Sequence, residues 1–417
     1  MMRQILAVPA TCVGVLAIAM GPLAAAEDVL FIGNSITIGQ DNVLPNSASV
    51  NNFNKANVTD EYNKIGRQQT WGYGGVPGIF KSLATHASYD ANVSIDAVGG
   101  QSLAQRFNNT TQLPGFDPGA TNDYDERIYI MRRPTWDCVV LQEGMSGANS
   151  AAYTAYRDAA TNIVGAVHNS TYGNPLATIV LYETYAYPQS TILGGGTYQS
   201  LEAMQADVRN ANAIVASSLG RNTVVAPVGD AFMNAIALGG ASNNPFGHAG
   251  ADPNPYDNGF VDNPGTFDLW TTSDGNPSST PNLHASKFGY YLAGLVLHET
   301  ITGYDSSAFS ATYAGSTAQA LGISESDAKY LNWVAHTTVS PGPTAISVAL
   351  TGGNHLEMAF SRRRADVSYI VQGSNDLAEW TDLATNPGTI GQPVTFTDAV
   401  DLATQSKRFL RLKVSRP

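Results

Sequence analysis

The chain has 417 residues, of which 43% are hydrophobic and 13% charged, and carries a formal net charge of −12 at pH 7. That length and balance suit a folded protein with a sizeable core rather than a disordered one. With 22 Lys and Arg against 34 Asp and Glu, and one basic cluster at Arg362-Arg363-Arg364, the balance argues against nucleic-acid binding, which needs clustered cations.

Residues 1–26 read as a secretory signal: Arg3 supplies the positive start, 5–20 is almost wholly apolar, and Ala24-Ala25-Ala26 offers a cleavage site before Glu27-Asp28. The apolar run is short for a membrane span, and no later segment is apolar enough to cross a bilayer. The expected product is secreted or periplasmic. Cys138 is then its only cysteine, so an internal disulfide is excluded.

Val29-Leu30-Phe31-Ile32 is the first predicted strand, and it ends in Gly33-Asn34-Ser35. This sets a serine hydroxyl at the carboxyl end of a strand, the edge of an α/β sheet where ligands bind. Gly33 is read as the residue that permits the sharp turn. Further strands are predicted at 93–97, 138–141, 177–182 and 223–228, and helices at 78–86, 152–167, 199–219 and 286–301. Strands separated by helices of this length indicate a parallel sheet covered on both faces. The polar, Gly-containing segments 45–75 and 239–282 interrupt the alternation, and loops of that length often shape a cleft.

Val339-Ser340-Pro341-Gly342-Pro343-Thr344 reads as a linker. Beyond it the period becomes two: Val367, Tyr369 and Val371, then Leu410, Leu412 and Val414, mark half-buried strands. The division expected is a domain at 27–338, a linker at 339–344 and a small β-sandwich at 345–417. Trp380 and Tyr369 suit sugar stacking or a core, and the core is preferred. Arg362-Arg363-Arg364 reads as a solvated strand end or loop.

A serine nucleophile needs a base to take its proton and donors for the developing oxyanion. Of seven histidines, His284 stands out. It precedes a helix whose cap is Ser286 and whose Phe288, Tyr291, Leu292 and Leu295 are spaced to face a core. His298, in the same helix, reads as packed or solvated. His86 and His336 sit on helical stretches, while His168, His248 and His355 lack a companion motif. No metal-ligand spacing occurs. The Asp- and Asn-rich loop 252–274 suits a solvated loop better than a calcium site, and no cofactor-binding motif is present.

Gly33-Asn34-Ser35, Gly99-Gly100 after the second strand, the polar Gln142-Glu143 after the third, and a late His284-Ala285-Ser286 together resemble the SGNH hydrolase superfamily of GDSL-type esterases. The supporting segments in order are Val98 to Leu103, Trp136 to Glu143, Leu181 to Tyr185 and Pro227 to Phe232. The resemblance implies a flavodoxin-like three-layer α/β/α fold and a serine hydrolase of acyl esters, with no cofactor. Ser35 is then the nucleophile, His284 the base, and the N–H groups of Ser35 and Gly100 the oxyanion donors. An O-acetyl group on a polysaccharide is the favoured substrate. A lipase preferring long acyl chains and a non-catalytic carbohydrate-binding protein on the same scaffold are the alternatives.

Two positions depart from the family pattern. Where the family has an asparagine after the third strand, this chain has Gln142, which carries the same amide on a longer arm; Ser146 and Asn149 are weaker substitutes. Glu143, unable to donate while ionised, is read as orienting His284 or another group. The family's aspartate three residues before the histidine is replaced by Pro281. Either a main-chain carbonyl near Pro281 orients the imidazole, or Asp274 does, with Asp268 and Asp262 as remoter choices.

Overall fold

The computed structural model describes residues 26–40, 50–61, 73–108, 131, 135–144, 147–171, 173–187, 198, 200–220, 222–238, 240–241, 267–272, 281–340, 347–351, 353–362, 368–388, 393–405 and 407–415. Of the signal-peptide expectation at 1–26 all but residue 26 falls outside them, as do the 252–266 part of the acidic loop, Asp274 and most of the linker.

Six strands, β1 (Glu27–Gly33), β2 (Val58–Asp60), β3 (Ala91–Ala97), β4 (Trp136–Leu141), β5 (Thr178–Tyr182) and β6 (Thr223–Ala226), form one sheet in the order β2-β3-β1-β4-β5-β6. Every pairing in it is parallel. Without the short edge strand β2, the remaining five run 2-1-3-4-5 in chain order, the flavodoxin-like winding. The winding reverses at β1, between β3 and β4. The ends of these three strands therefore frame the crevice where doubly wound sheets take ligands.

The central place of β1 explains its composition. Val29, Leu30, Phe31 and Ile32 are all fully buried, each contributing about 1.5–3 kcal/mol of apolar burial. A strand covered on both faces has no solvent side, so it reads as a continuous apolar run rather than an alternation. The predicted strands are all present. β2 was missed: Val58-Thr59-Asp60 is too short to show a period and lies in the segment read as an uninterrupted loop. Val228, read as the end of the fifth predicted strand, instead begins a helix.

The chain order of the helices is α1 (Ser35–Ile38), α2 (Gly75–His86), α3 (Leu103–Asn108), α4 (Tyr153–Val167), α5 (Leu201–Leu219), α6 (Val228–Ala237), α7 (Lys287–Thr302), α8 (Thr317–Ala320) and α9 (Glu325–Val339). One layer gathers α2, α6 and α9 around α7; the other sets α4 between α3 and α5. Helix α7 begins at its predicted cap, Ser286, whose Oγ accepts from the N–H groups of Phe288 and Gly289. It is more enclosed than its spacing implied: Phe288 through Glu299 are buried all round, as expected of a helix with protein on every side.

An antiparallel hairpin of β7 (Trp270–Thr272) and β8 (Pro281–Ala285) leads into α7. The carboxyl-terminal region carries two three-stranded antiparallel sheets that form a small β-sandwich. One is ordered β13-β10-β9, from Pro393–Thr397, Leu356–Ser361 and Ser347–Leu350; the other is β12-β11-β14, from Thr381–Thr385, Ser368–Ser374 and Phe409–Ser415. Met358, Phe360, Tyr369, Val371 and Val394 make its core. Tyr369 is thus a core aromatic, while Trp380 is half-buried beneath the Arg411 guanidinium, 4.0 Å from the ring centroid. Arg362 corrects its solvated reading. It is buried, donates to the carbonyls of Asn386 (2.7 Å) and Gly388 (2.8 Å), and lies over the Tyr369 ring.

Candidate active site

Ser35 stands at the first position of α1, immediately beyond β1. Asn34 caps that short helix: its Oδ1 accepts from the Ile36 N–H at 3.1 Å, the usual role of an Asn before a helix. Its Nδ2 donates to the Gln101 carbonyl at 3.1 Å, so one side chain ties the Ser35 turn to the loop after β3. Gly33 is needed for space rather than for an unusual backbone angle. A Cβ there would come 2.2 Å from Thr37 Oγ1 and 2.7 Å from Gln142 Oε1.

His284 approaches from the opposite end of the α/β region. Its Nε2 lies 2.9 Å from Ser35 Oγ, with both residues buried. The β7–β8 hairpin that carries it is pinned to the sheet in several places. Ala285 N–H donates to Tyr185 Oη at 3.0 Å, and Trp270 Nε1 donates to the Ala186 carbonyl at 3.1 Å. Tyr185 stacks on Phe232 with centroids 4.3 Å apart, and Phe232 meets Trp270 edge-on. Burial holds the His284 imidazole down to a pKa of about 4, because a charged ring loses its hydration there. It is therefore neutral at pH 7, the form able to accept a proton. For Nε2 to accept from Ser35, Nδ1 must carry the ring's proton. Nδ1 is buried and has no hydrogen-bond partner among the described residues.

The other predicted residues gather on the neighbouring strand ends. Gly99 and Gly100 follow β3 by a few residues, and a Cβ on Gly99 would lie 4.0 Å from Ser35 Cβ. Gly100 takes a left-handed conformation with φ 73°, which suits glycine. Gln142 is buried beside the Ser35 turn. Its Oε1 accepts from Asn34 N–H and from Thr37 Oγ1, each at 3.0 Å. Its Nε2 is buried without a partner among the described residues. The carboxamide thus holds the turn with one end and keeps a donor unspent at the other.

Glu143 does not orient His284. Its Oε2 accepts from Leu103 N–H at 2.9 Å and its Oε1 from Gly144 N–H at 2.7 Å. Consecutive residues leaving a strand point in opposite directions, so Gln142 reaches the β1 turn and Glu143 the loop after β3. Asn149 spends its Oδ1 on the N–H groups of Ala151 and Ala152, and Ser146 lies outside the described residues. Asp268 offers its main-chain carbonyl to Ser286 Oγ at 2.6 Å. Tyr185 had no role in the sequence reading, although it sits in a quoted segment. Nothing local to it signals that it meets a residue a hundred positions on.

Among the other described histidines, His86 and His168 contact main-chain carbonyls, and His336 pairs with Glu299 and Asp305. Cys138 is buried and free.

No family model and no curated protein matches the chain. Solved structures similar to it include a proposed SGNH hydrolase from Slackia heliotrinireducens, 21% identical over 66% of this chain and 99% of that one, with a TM-score of 0.36. A DUF4886 family protein from Bacteroides uniformis is 14% identical over 76% of this chain and 96% of its own, with a TM-score of 0.40. A carbohydrate acetylesterase from Xanthomonas citri is 11% identical over 85% of this chain and 69% of its own, with a TM-score of 0.35.

Proposed function

We propose that the protein is an exported serine esterase that hydrolyses short acyl esters, with O-acetyl groups on a polysaccharide as its natural substrate. The reading rests on one observation above the rest: a neutral imidazole 2.9 Å from a serine hydroxyl at the winding reversal of the sheet. Ser35 Oγ attacks the ester carbonyl carbon while His284 Nε2 takes its proton. The carbonyl electrons move to oxygen, which the N–H groups of Ser35 and Gly100 and the Nε2 of Gln142 receive. As the carbon–oxygen bond to the alcohol breaks, His284 returns the proton to the leaving oxygen. Water then attacks the acyl-enzyme with His284 as base again, releasing the acid and restoring Ser35. In this scheme an acceptor for His284 Nδ1, either Asp274 or a main-chain carbonyl near Pro281, fixes the tautomer.

The proposal includes a signal at 1–26, a catalytic domain at 27–338, a linker at 339–344 and an accessory β-sandwich at 345–417. Two hydrophobic clusters that share no residue support the division. Export and an added β-module suit a glycan substrate.

The test is turnover of p-nitrophenyl acetate and release of acetate from an acetylated polysaccharide, by the native protein and by Ser35→Ala. The native protein is expected to turn over both, and Ser35→Ala neither. Equal rates in the two proteins would remove the esterase reading. A chain-length series that rises toward long acyl groups would replace it with a lipase.

A further inference from the structure

We propose that Glu143 is a positioning residue for the proposed esterase reaction: its ionised carboxylate clasps the loop that carries Gly99 and Gly100, and protonation opens that clasp. The inference rests on the esterase reading for its catalytic consequence but not for the clasp itself.

The geometry is that of a two-pronged acceptor. Glu143 is buried, and its two oxygens divide the work: Oε2 takes Leu103 N–H at 2.9 Å and Oε1 takes Gly144 N–H at 2.7 Å. The first bond crosses from the end of β4 to the end of the loop that follows β3. The second locks the carboxylate to its own turn. Gly147 closes over the group, since a Cβ there would stand 2.9 Å from Glu143 Cδ and Cγ. Thr184 Oγ1 donates to the Glu143 carbonyl at 2.8 Å, fixing the main chain from the β5 side.

The loop so held runs from Val98 to Ser102 and abuts the nucleophile. Val98 N–H donates to the Gly33 carbonyl and Asn34 Nδ2 to the Gln101 carbonyl, at 3.2 and 3.1 Å. The far side of the loop is anchored by the buried Asp96–Arg106 ion pair, with Arg106 also donating to Gln101 Oε1 at 3.2 Å. Both anchors must hold for the Gly100 N–H to keep a fixed aim. A displacement of an ångström costs an oxyanion donor much of its effect.

An ionised carboxylate only accepts, so it satisfies both N–H groups at once. A carboxylic acid turns one oxygen into a donor and leaves one of the two N–H groups without its acceptor. Burial lifts the Glu143 pKa to about 7, against the smaller opposing pull of the Leu103 and Gly144 N–H groups. The charged and titratable neighbours do not reverse this. Tyr156 on α4 has its own pKa raised by burial first and then by the negative charges of Glu143 and Glu183, and Arg106 on α3 is paired with Asp96. The clasp is closed above pH 7 and opens below it, whereas His284 stays neutral down to about 4. The acid limb of activity near pH 7 then belongs to Glu143 and not to the base.

Two measurements on the full chain test this. In 15N-labelled protein, the Leu103 and Gly144 amide resonances should titrate together with a midpoint near pH 7, both in the native protein and in catalytically dead Ser35→Ala. They should not titrate in Glu143→Gln, whose carboxamide accepts one N–H but not both. In kcat/KM for p-nitrophenyl acetate, Glu143→Gln should lose the limb near pH 7 and run about 10-fold low at pH 8, the loss falling on kcat rather than KM. Amides that do not move between pH 5 and 9 would overturn the clasp whether or not the protein is an esterase. A Glu143→Gln profile that keeps the wild-type limb would overturn its catalytic role. Titrating amides in Ser35→Ala, with no turnover by the native protein, would keep the clasp and discard only the esterase reading.

Discussion

His284 and His298 flank the start and the middle of the same buried helix, and burial lowers both imidazoles to a pKa of about 4. Their surroundings differ in kind. His284 faces the strand ends and meets Ser35 Oγ at 2.9 Å. His298 is packed among Phe80, Tyr304 and Phe309, with ring centroids 5.4–5.8 Å away, and neither of its nitrogens has a hydrogen-bond partner among the described residues. A depressed pKa therefore does not distinguish a catalytic base from a core aromatic. What separates them is the polar atom that one ring can reach and the other cannot.

The largest effect that sharpens this contrast is loss of the proposed base. His284→Ala should lower kcat/KM on p-nitrophenyl acetate by about 10⁴-fold, while His298→Phe should leave it within a factor of two or so. Similar losses in both would break the distinction. The next test concerns Nδ1. Asp274→Asn should lower kcat by at least about 10-fold, since an amide there no longer favours the required tautomer; an unchanged rate would assign that task to a main-chain carbonyl. In Glu143→Gln, where the limb near pH 7 is removed, the remaining acid limb should report His284 and fall near pH 4. A midpoint near 6.5 would mean that the ring is more hydrated, or better paired, than its burial indicates.

The smallest effect is on stability alone. His298 has a folded pKa of about 4 against an ordinary value of 6.5. Above 6.5 the ring is neutral in both states and its contribution is fully present. As pH falls from 6.5 toward 4 the unfolded chain takes up the proton first, and stability drops by on the order of 3 kcal/mol. His298→Phe keeps an aromatic of similar size and removes two polar atoms that have no partner among the described residues. It should raise Tm by a few degrees at pH 7.5 and flatten its decline toward pH 4.5. A decline as steep as the native protein's would show that other groups govern acid unfolding.

The proposed nucleophile and base could be singled out in the sequence because each is announced by its own neighbours. Gly33-Asn34-Ser35 closes an apolar run, and His284 precedes a serine cap and an apolar helical face. Of the two readings offered for Glu143, orienting His284 or another group, the first fails because the strand geometry sends its side chain away from the β1 turn and onto the Leu103 and Gly144 N–H groups. Arg362 looked solvated among its basic neighbours; the carbonyls that receive it arrive from Asn386 to Gly388 on another hairpin. Strand β2 left no trace, since three residues carry no period.

The sequence by itself determined most of the strands and the long helices named from it, where several helices start, and which side chains are candidates for nucleophile and base. Periodicity and capping depend on contacts within a few residues, so they can be read along the chain. The tertiary structure decided which of those side chains meet and in what protonation state. Ser35 and His284, 249 positions apart in sequence, come together only because the sheet reverses its winding at β1 and an aromatic stack pins the β7–β8 hairpin against it. The neutrality of His284 and the raised pKa of Glu143 follow from the water that packing removes, a property of the assembled layers that no local stretch of residues contains.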